Sequence, residues 1–110
     1  MTRRSDEALV YDILGAADML NLYLHGQTRR RFDENPMLKD ASVRQLSVIG
    51  EAVYQMSDAF KDEHAGIPWS AIEGLRHIVV HSYWTIDYNI VWNTARRDVS
   101  DLAKYLRRVS

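Results

Sequence analysis

The apolar residues of this chain recur at three- and four-residue steps almost from end to end, and only Pro36 and Pro68 interrupt them as prolines. That spacing is the signature of amphipathic helices; a half-buried strand would alternate every second residue. The expected fold class is therefore all-α, an up-and-down helical bundle of four to five helices with short connections. A chain of 110 residues suits one domain with one core, spanning residues 1–110.

Taken in order, the first helix should begin near Ser5, an N-cap residue followed by Asp6 and Glu7 in the first turn. Leu9, Val10, Ile13, Ala17, Leu20 and Leu24 form its inward stripe, and Gly26 is its expected stop. Residues 27–35 read as a polar connection whose three arginines, Arg29, Arg30 and Arg31, could grip phosphate but read first as a solvated charge run. A second helix is expected from about Pro36 to Phe60, since proline suits the first helical position. Leu46, Ile49, Val53, Met56 and Phe60 fall on a heptad-like seam that must pack on another helix, within the chain or across a dimer. Gly50 sits inside that helix at a cost of roughly 1 kcal/mol against alanine, so close approach of another backbone is expected there. Lys61–Ile67 reads as a loop. The third helix should start at Pro68-Trp69-Ser70. The fourth should start near Asp87, run to about Arg108, and turn Ile90 or Val91, Ala95, Val99, Leu102 and Leu106 inward.

Composition excludes several classes. With no cysteine there are neither disulfides nor thiolate zinc sites. No apolar run approaches the ~20 residues of a membrane helix, and the N-terminus lacks the apolar core of a signal peptide, so a cytoplasmic location is expected. The net charge of −1 rules out a bulk-basic nucleic-acid binder. The balance is uneven, however: residues 66–110 carry six Lys/Arg against four Asp/Glu, whereas residues 1–65 carry eight against eleven.

The more basic part holds the segment Gly74-Leu75-Arg76-His77-Ile78-Val79-Val80-His81-Ser82-Tyr83, in which polar groups interleave with core residues. At about 100° per residue, Arg76 and Tyr83 share one helical face, as do His77 and His81. Arg76 and His81 diverge by about 140° on an ideal helix, so their convergence needs a distorted helix or a second subunit. Brought together, they form a reactive set. Histidine passes protons near neutral pH, arginine offers a fixed fork to a phosphate, and tyrosine donates a hydrogen bond or stacks on a base. These groups suffice to cleave RNA with no metal and no cofactor, because the ribose 2′-hydroxyl is itself the nucleophile.

Singly, each residue has a plainer reading: Arg76 as the ion-pair partner of Glu73, His81 as a satisfied core histidine, Tyr83 as a packed aromatic. His77 and His81 have metal-ligand spacing, but no third ligand stands near them in sequence. Trp69, Trp84 and Trp92 read as core or interface residues.

The ordered motifs resemble the HEPN superfamily, in particular the HepT-like toxins. Asp12-Ile13-Leu14 is similar to the opening of that family, and Ala41-Ser42-Val43-Arg44 is close to its AVxR. Ile49-Gly50-Glu51-Ala52 matches IGEA, Ile67-Pro68-Trp69 matches IPW, and Gly74-Leu75-Arg76 matches G[ML]R. His81-Ser82-Tyr83 then supplies HxY, and Asp87 with Ile90-Val91-Trp92 fits the D-x-x-IVW that follows. The resemblance covers most of residues 8–106. It implies a homodimeric helical bundle in which two signatures line one cleft, and a metal-independent RNA endonuclease with Arg76 and His81 as catalytic residues. It also implies a cognate MntA-like nucleotidyltransferase antitoxin that silences the toxin by adding AMP to Tyr83. His77 stands where many relatives have Asp or Asn, and is expected to support the site. A different class of function fits the same fold: a non-catalytic subunit that presents substrate or nucleotide to a nucleotidyltransferase.

Overall fold

The structure, a computed structural model, describes residues 4–78 and 86–110. The described residues form six helices and no strand. Helix α1 spans Asp6–Leu24, α2 Arg29–Asp33, α3 Pro36–Gln55 and α4 Asp58–Glu63. Helix α5, Trp69–Glu73, runs on as a 3-10 turn over Gly74–His77. Helix α6 begins as Tyr88–Asn93, widens to a π-helical turn over Thr94–Asp98, and continues as Val99–Val109. The all-α bundle expected from the spacing is what forms; the additional elements are the short α2 and α4.

Local chemistry sets the main boundaries. Ser5 Oγ accepts a hydrogen bond from the Ala8 amide and caps α1, and Gly26, at φ +73°, takes the left-handed conformation that ends it. Asn35 Oδ1 accepts from the Leu38 amide, with Pro36 at the first position of α3. Asp87 caps α6 by accepting from the Asn89 amide.

Two expectations are corrected. The run 27–35 is not a plain connection. Thr28 caps a helical turn there, Arg29 and Arg30 pair with Asp33 and Glu34, and Phe32 is driven fully into the core against Trp92. The second helix does not reach Phe60. It stops at Gln55, because Met56 turns extended (ψ 147°) and Ser57 begins α4. The Ser57 amide and hydroxyl both donate to the Asp6 carboxylate, at 2.9 and 2.6 Å. A continued helix would aim that amide at its own fourth-preceding carbonyl, so the contact across 51 residues replaces a local hydrogen bond. Part of the expected loop 61–67 is accordingly the end of α4.

The seam residues Leu46, Ile49, Val53 and Met56 are at most 2% exposed within this one chain. They face Leu9, Ile13 and Leu20 of α1 in a core that also takes Val91, Val99, Leu102 and Leu106 of α6. Each such side chain contributes about 1.5–3 kcal/mol on burial. The seam is thus satisfied inside the bundle and does not itself call for a dimer. Val91, not Ile90, is the inward residue of α6; Ile90 is 53% exposed. Trp69 is buried and donates its indole N–H to the His64 carbonyl, while His64 Nδ1 and Tyr105 Oη hydrogen-bond at 2.6 Å. No helix among the described residues is long and apolar enough to cross a membrane.

Candidate active site around Arg76

Arg76 lies on the 3-10 turn that continues α5, and that turn is seated directly on α3. The contact depends on Gly50: a Cβ built there would stand 2.4 Å from the Arg76 backbone nitrogen. The close approach expected from an interior glycine is therefore made, and it is made with the arginine-bearing turn. The helix is distorted at Gly74–His77, where the 3-10 turn winds about 120° per residue.

The Arg76 side chain is 29% exposed, and α3 surrounds it. Its guanidinium lies over the Tyr54 ring, 3.6 Å from the centroid. Such stacking holds the plane of the fork while leaving its edge available. One terminal nitrogen stands 3.9 Å from the Glu51 carboxylate, a distance at which charge attracts but no hydrogen bond closes. Buried Nε has no hydrogen-bond partner among the described residues. Because Nε is buried, a phosphate reaches this fork only through its terminal nitrogens. The pairing of Arg76 with Glu73 does not form. Glu73 instead lies 3.8 Å from Lys61 of α4.

Neither Glu51 nor Tyr54 stood out as an arginine partner in the sequence. They precede Arg76 by more than twenty residues, and only the crossing of α3 with the turn brings them to it. The sole sequence signal was the IGEA motif containing Glu51. His77 is exposed on the same turn. His81 and Tyr83 lie outside the described residues, as does Trp84. Among the described residues no group of three or more His, Asp or Glu side chains is placed to hold a metal ion.

A groove of about 630 Å³ opens beside Arg76 between α1 and α3. Leu9, Val43, Val48 and Ala52 form its apolar floor; Arg4, Asp12, Arg44 and Glu51 stand on its rim. Arg4 is engaged by Asp12 at 2.9 Å. A separate cleft of about 380 Å³, between the C-terminal half of α1 and the widened turn of α6, does not include Arg76. Arg76 is thus on the α3 side.

Comparison with known proteins gives one family. The model of the HepT-like family, described as "Ribonuclease HepT-like", matches residues 13–109. A "Putative RNase" of Methanocaldococcus jannaschii is 33% identical over 94% of this chain and 95% of its own length. Another "Putative RNase", of Caldanaerobacter subterraneus subsp. tengcongensis, is 32% identical over 88% of this chain and 87% of its own. A "Probable ribonuclease HepT" of Thermococcus cleftensis is 27% identical over 91% of each chain. No solved structure gives a significant match.

Proposed function

The chain belongs to the family of HepT-like ribonucleases, and from that premise we propose that it is a metal-independent RNA endonuclease of a toxin–antitoxin pair. The observation that carries the reading is the state of Arg76: anchored through its backbone at Gly50, stacked on Tyr54, and with a terminal nitrogen that Glu51 approaches only to 3.9 Å. Arg76 grips the non-bridging oxygens of the scissile phosphate and stabilises the extra negative charge of the pentavalent transition state. His81 takes the proton of the ribose 2′-hydroxyl as the O2′–P bond forms. An imidazolium returns a proton to the 5′-oxygen as the P–O5′ bond breaks. The products are a 2′,3′-cyclic phosphate and a 5′-hydroxyl. In a homodimer the two copies of His81 divide these roles, which also answers the angular divergence of Arg76 and His81 on one helix. His77 supports the site through its place beside Arg76.

The same reading gives the chain an antitoxin of the minimal nucleotidyltransferase kind that adds AMP to the Tyr83 hydroxyl. The added phosphate would engage Arg76, and the adenosine would fill space that a substrate nucleotide enters.

The test is cleavage of RNA by the purified, unmodified protein in EDTA, with the 3′ ends analysed. The wild type should leave cyclic phosphate. His81→Ala and Arg76→Ala should lose activity while remaining folded, and Arg76→Lys, which keeps the charge but loses the fork, should recover little of it. Undiminished cleavage by His81→Ala would remove histidine from the mechanism. A folded, unmodified wild type that cuts no RNA would instead point to a non-catalytic subunit docking on a nucleotidyltransferase.

A further inference from the structure

Tyr54 stands between Arg76 and a surface hollow. Over its ring lies the Arg76 guanidinium, 3.6 Å from the centroid. The residue is nonetheless 48% exposed, and it borders a hollow of about 520 Å³ that Arg76 does not line. The hollow sits where α3 ends and α4 begins. Its walls include Asp58, Lys61 and Glu73, with Lys61 only 17% exposed and 3.8 Å from Glu73. Two carboxylates against one ammonium make it a poor place for a phosphate. An aromatic wall with an ion pair at the margin makes it a good place for a flat, neutral heterocycle that carries hydrogen-bonding groups on its edge.

From this juxtaposition we propose that Tyr54 is the stacking platform of a nucleobase subsite. A base of the RNA strand lies against the ring on the side of the hollow, while the neighbouring phosphate lies on Arg76. The inference rests on the reading of Arg76 as the phosphate-binding residue and adds what holds the nucleotide next to that phosphate. The ring therefore has two tasks: it fixes the guanidinium plane, and it receives the base. The Lys61–Glu73 pair meets the base edge, offering one donor group and one acceptor group. Volume is no obstacle, since 520 Å³ exceeds what one base fills.

The two tasks of Tyr54 are separable by removing the base instead of the ring. Uncleavable RNA oligonucleotides with 2′-fluoro sugars, each bearing a single abasic position walked along the strand, are titrated with the full, unmodified protein by fluorescence anisotropy. At one position the abasic substitution should weaken wild-type binding by roughly fivefold to a hundredfold, the range of one base–aromatic stack. Tyr54→Leu should weaken binding of the intact strand by a similar factor and be nearly indifferent to that abasic position. Tyr54→Phe and Tyr54→Trp should restore the discrimination. If the abasic and Tyr54→Leu losses multiply at every position, Tyr54 acts only by orienting Arg76 and the subsite is wrong. Cleavage of RNA without any such coupling would overturn the subsite and leave the ribonuclease reading standing. Coupling in a protein that cuts nothing would do the reverse, and failure to bind any strand would overturn both.

Discussion

The backbone of Arg76 lies so close to Gly50 that a single added methyl would stand 2.4 Å from its amide nitrogen. The position of the arginine is therefore set by an absent side chain on another helix. The guanidinium is then oriented by Tyr54, one turn of α3 further on. A motif glycine and a motif arginine, 26 residues apart in sequence, act as one structural unit.

Gly50→Ala should accordingly do more than its helix propensity implies. Alanine is the better helix former, but the neighbour it meets is backbone and cannot rotate aside. The overpacking should cost about 1–3 kcal/mol, read as a lowered thermal midpoint, and RNA cleavage should fall with it. A raised midpoint with full activity would show that the 3-10 turn can move away at no cost.

Asp6 and Ser57 should be coupled energetically. Hydrogen bonds to a charged acceptor are worth roughly 1.5–3 kcal/mol, and Ser57 also caps α4 through its hydroxyl, which accepts from the Phe60 amide. Asp6→Ala and Ser57→Ala should each destabilise the fold. The double variant should lose less than the sum in a denaturant-midpoint cycle. Strict additivity would mean that the two residues stabilise independently.

Tyr83→Phe should escape the antitoxin. Incubation of the wild type with the cognate nucleotidyltransferase and ATP should add AMP, with the adduct mapping to Tyr83 by mass spectrometry of its peptides. The phenylalanine variant should stay unmodified and retain at least part of its cleavage. An adduct on Tyr54 or Tyr88 instead would sink this account, and no adduct at all would favour inhibition by steric capping.

Light scattering at micromolar concentration should return twice the chain mass. The α3 seam is buried within the single-chain core and calls for no second copy. Two copies would instead bring Arg76 of one chain and His81 of the other to one phosphate, as the proposed mechanism requires. A monomer that cleaves RNA would show that one chain completes the site.

Much of the architecture was legible because it is decided within a turn or two of helix. The Ser5 cap, the Gly26 stop, the Pro36 start and the Asp87 cap each satisfy backbone groups with residues a few positions away, and the apolar spacing states which face must be buried. What the spacing could not decide was the choice between neighbours: Ile90 and Val91 are equally apolar, and only packing against the core turns Val91 inward. Nor could it find the break after Gln55. The heptad pattern continues to Phe60, but the Asp6 carboxylate, 51 residues from Ser57, diverts the local amide hydrogen bond. The surroundings of Arg76 belong to the same category. Local spacing offered Glu73 as a partner; the tertiary structure sends Glu73 to Lys61 and brings Glu51 and Tyr54 instead. Contacts between distant parts of the chain depend on how helices cross, and crossing depends on side-chain volume at a few points. Here one of those points is Gly50.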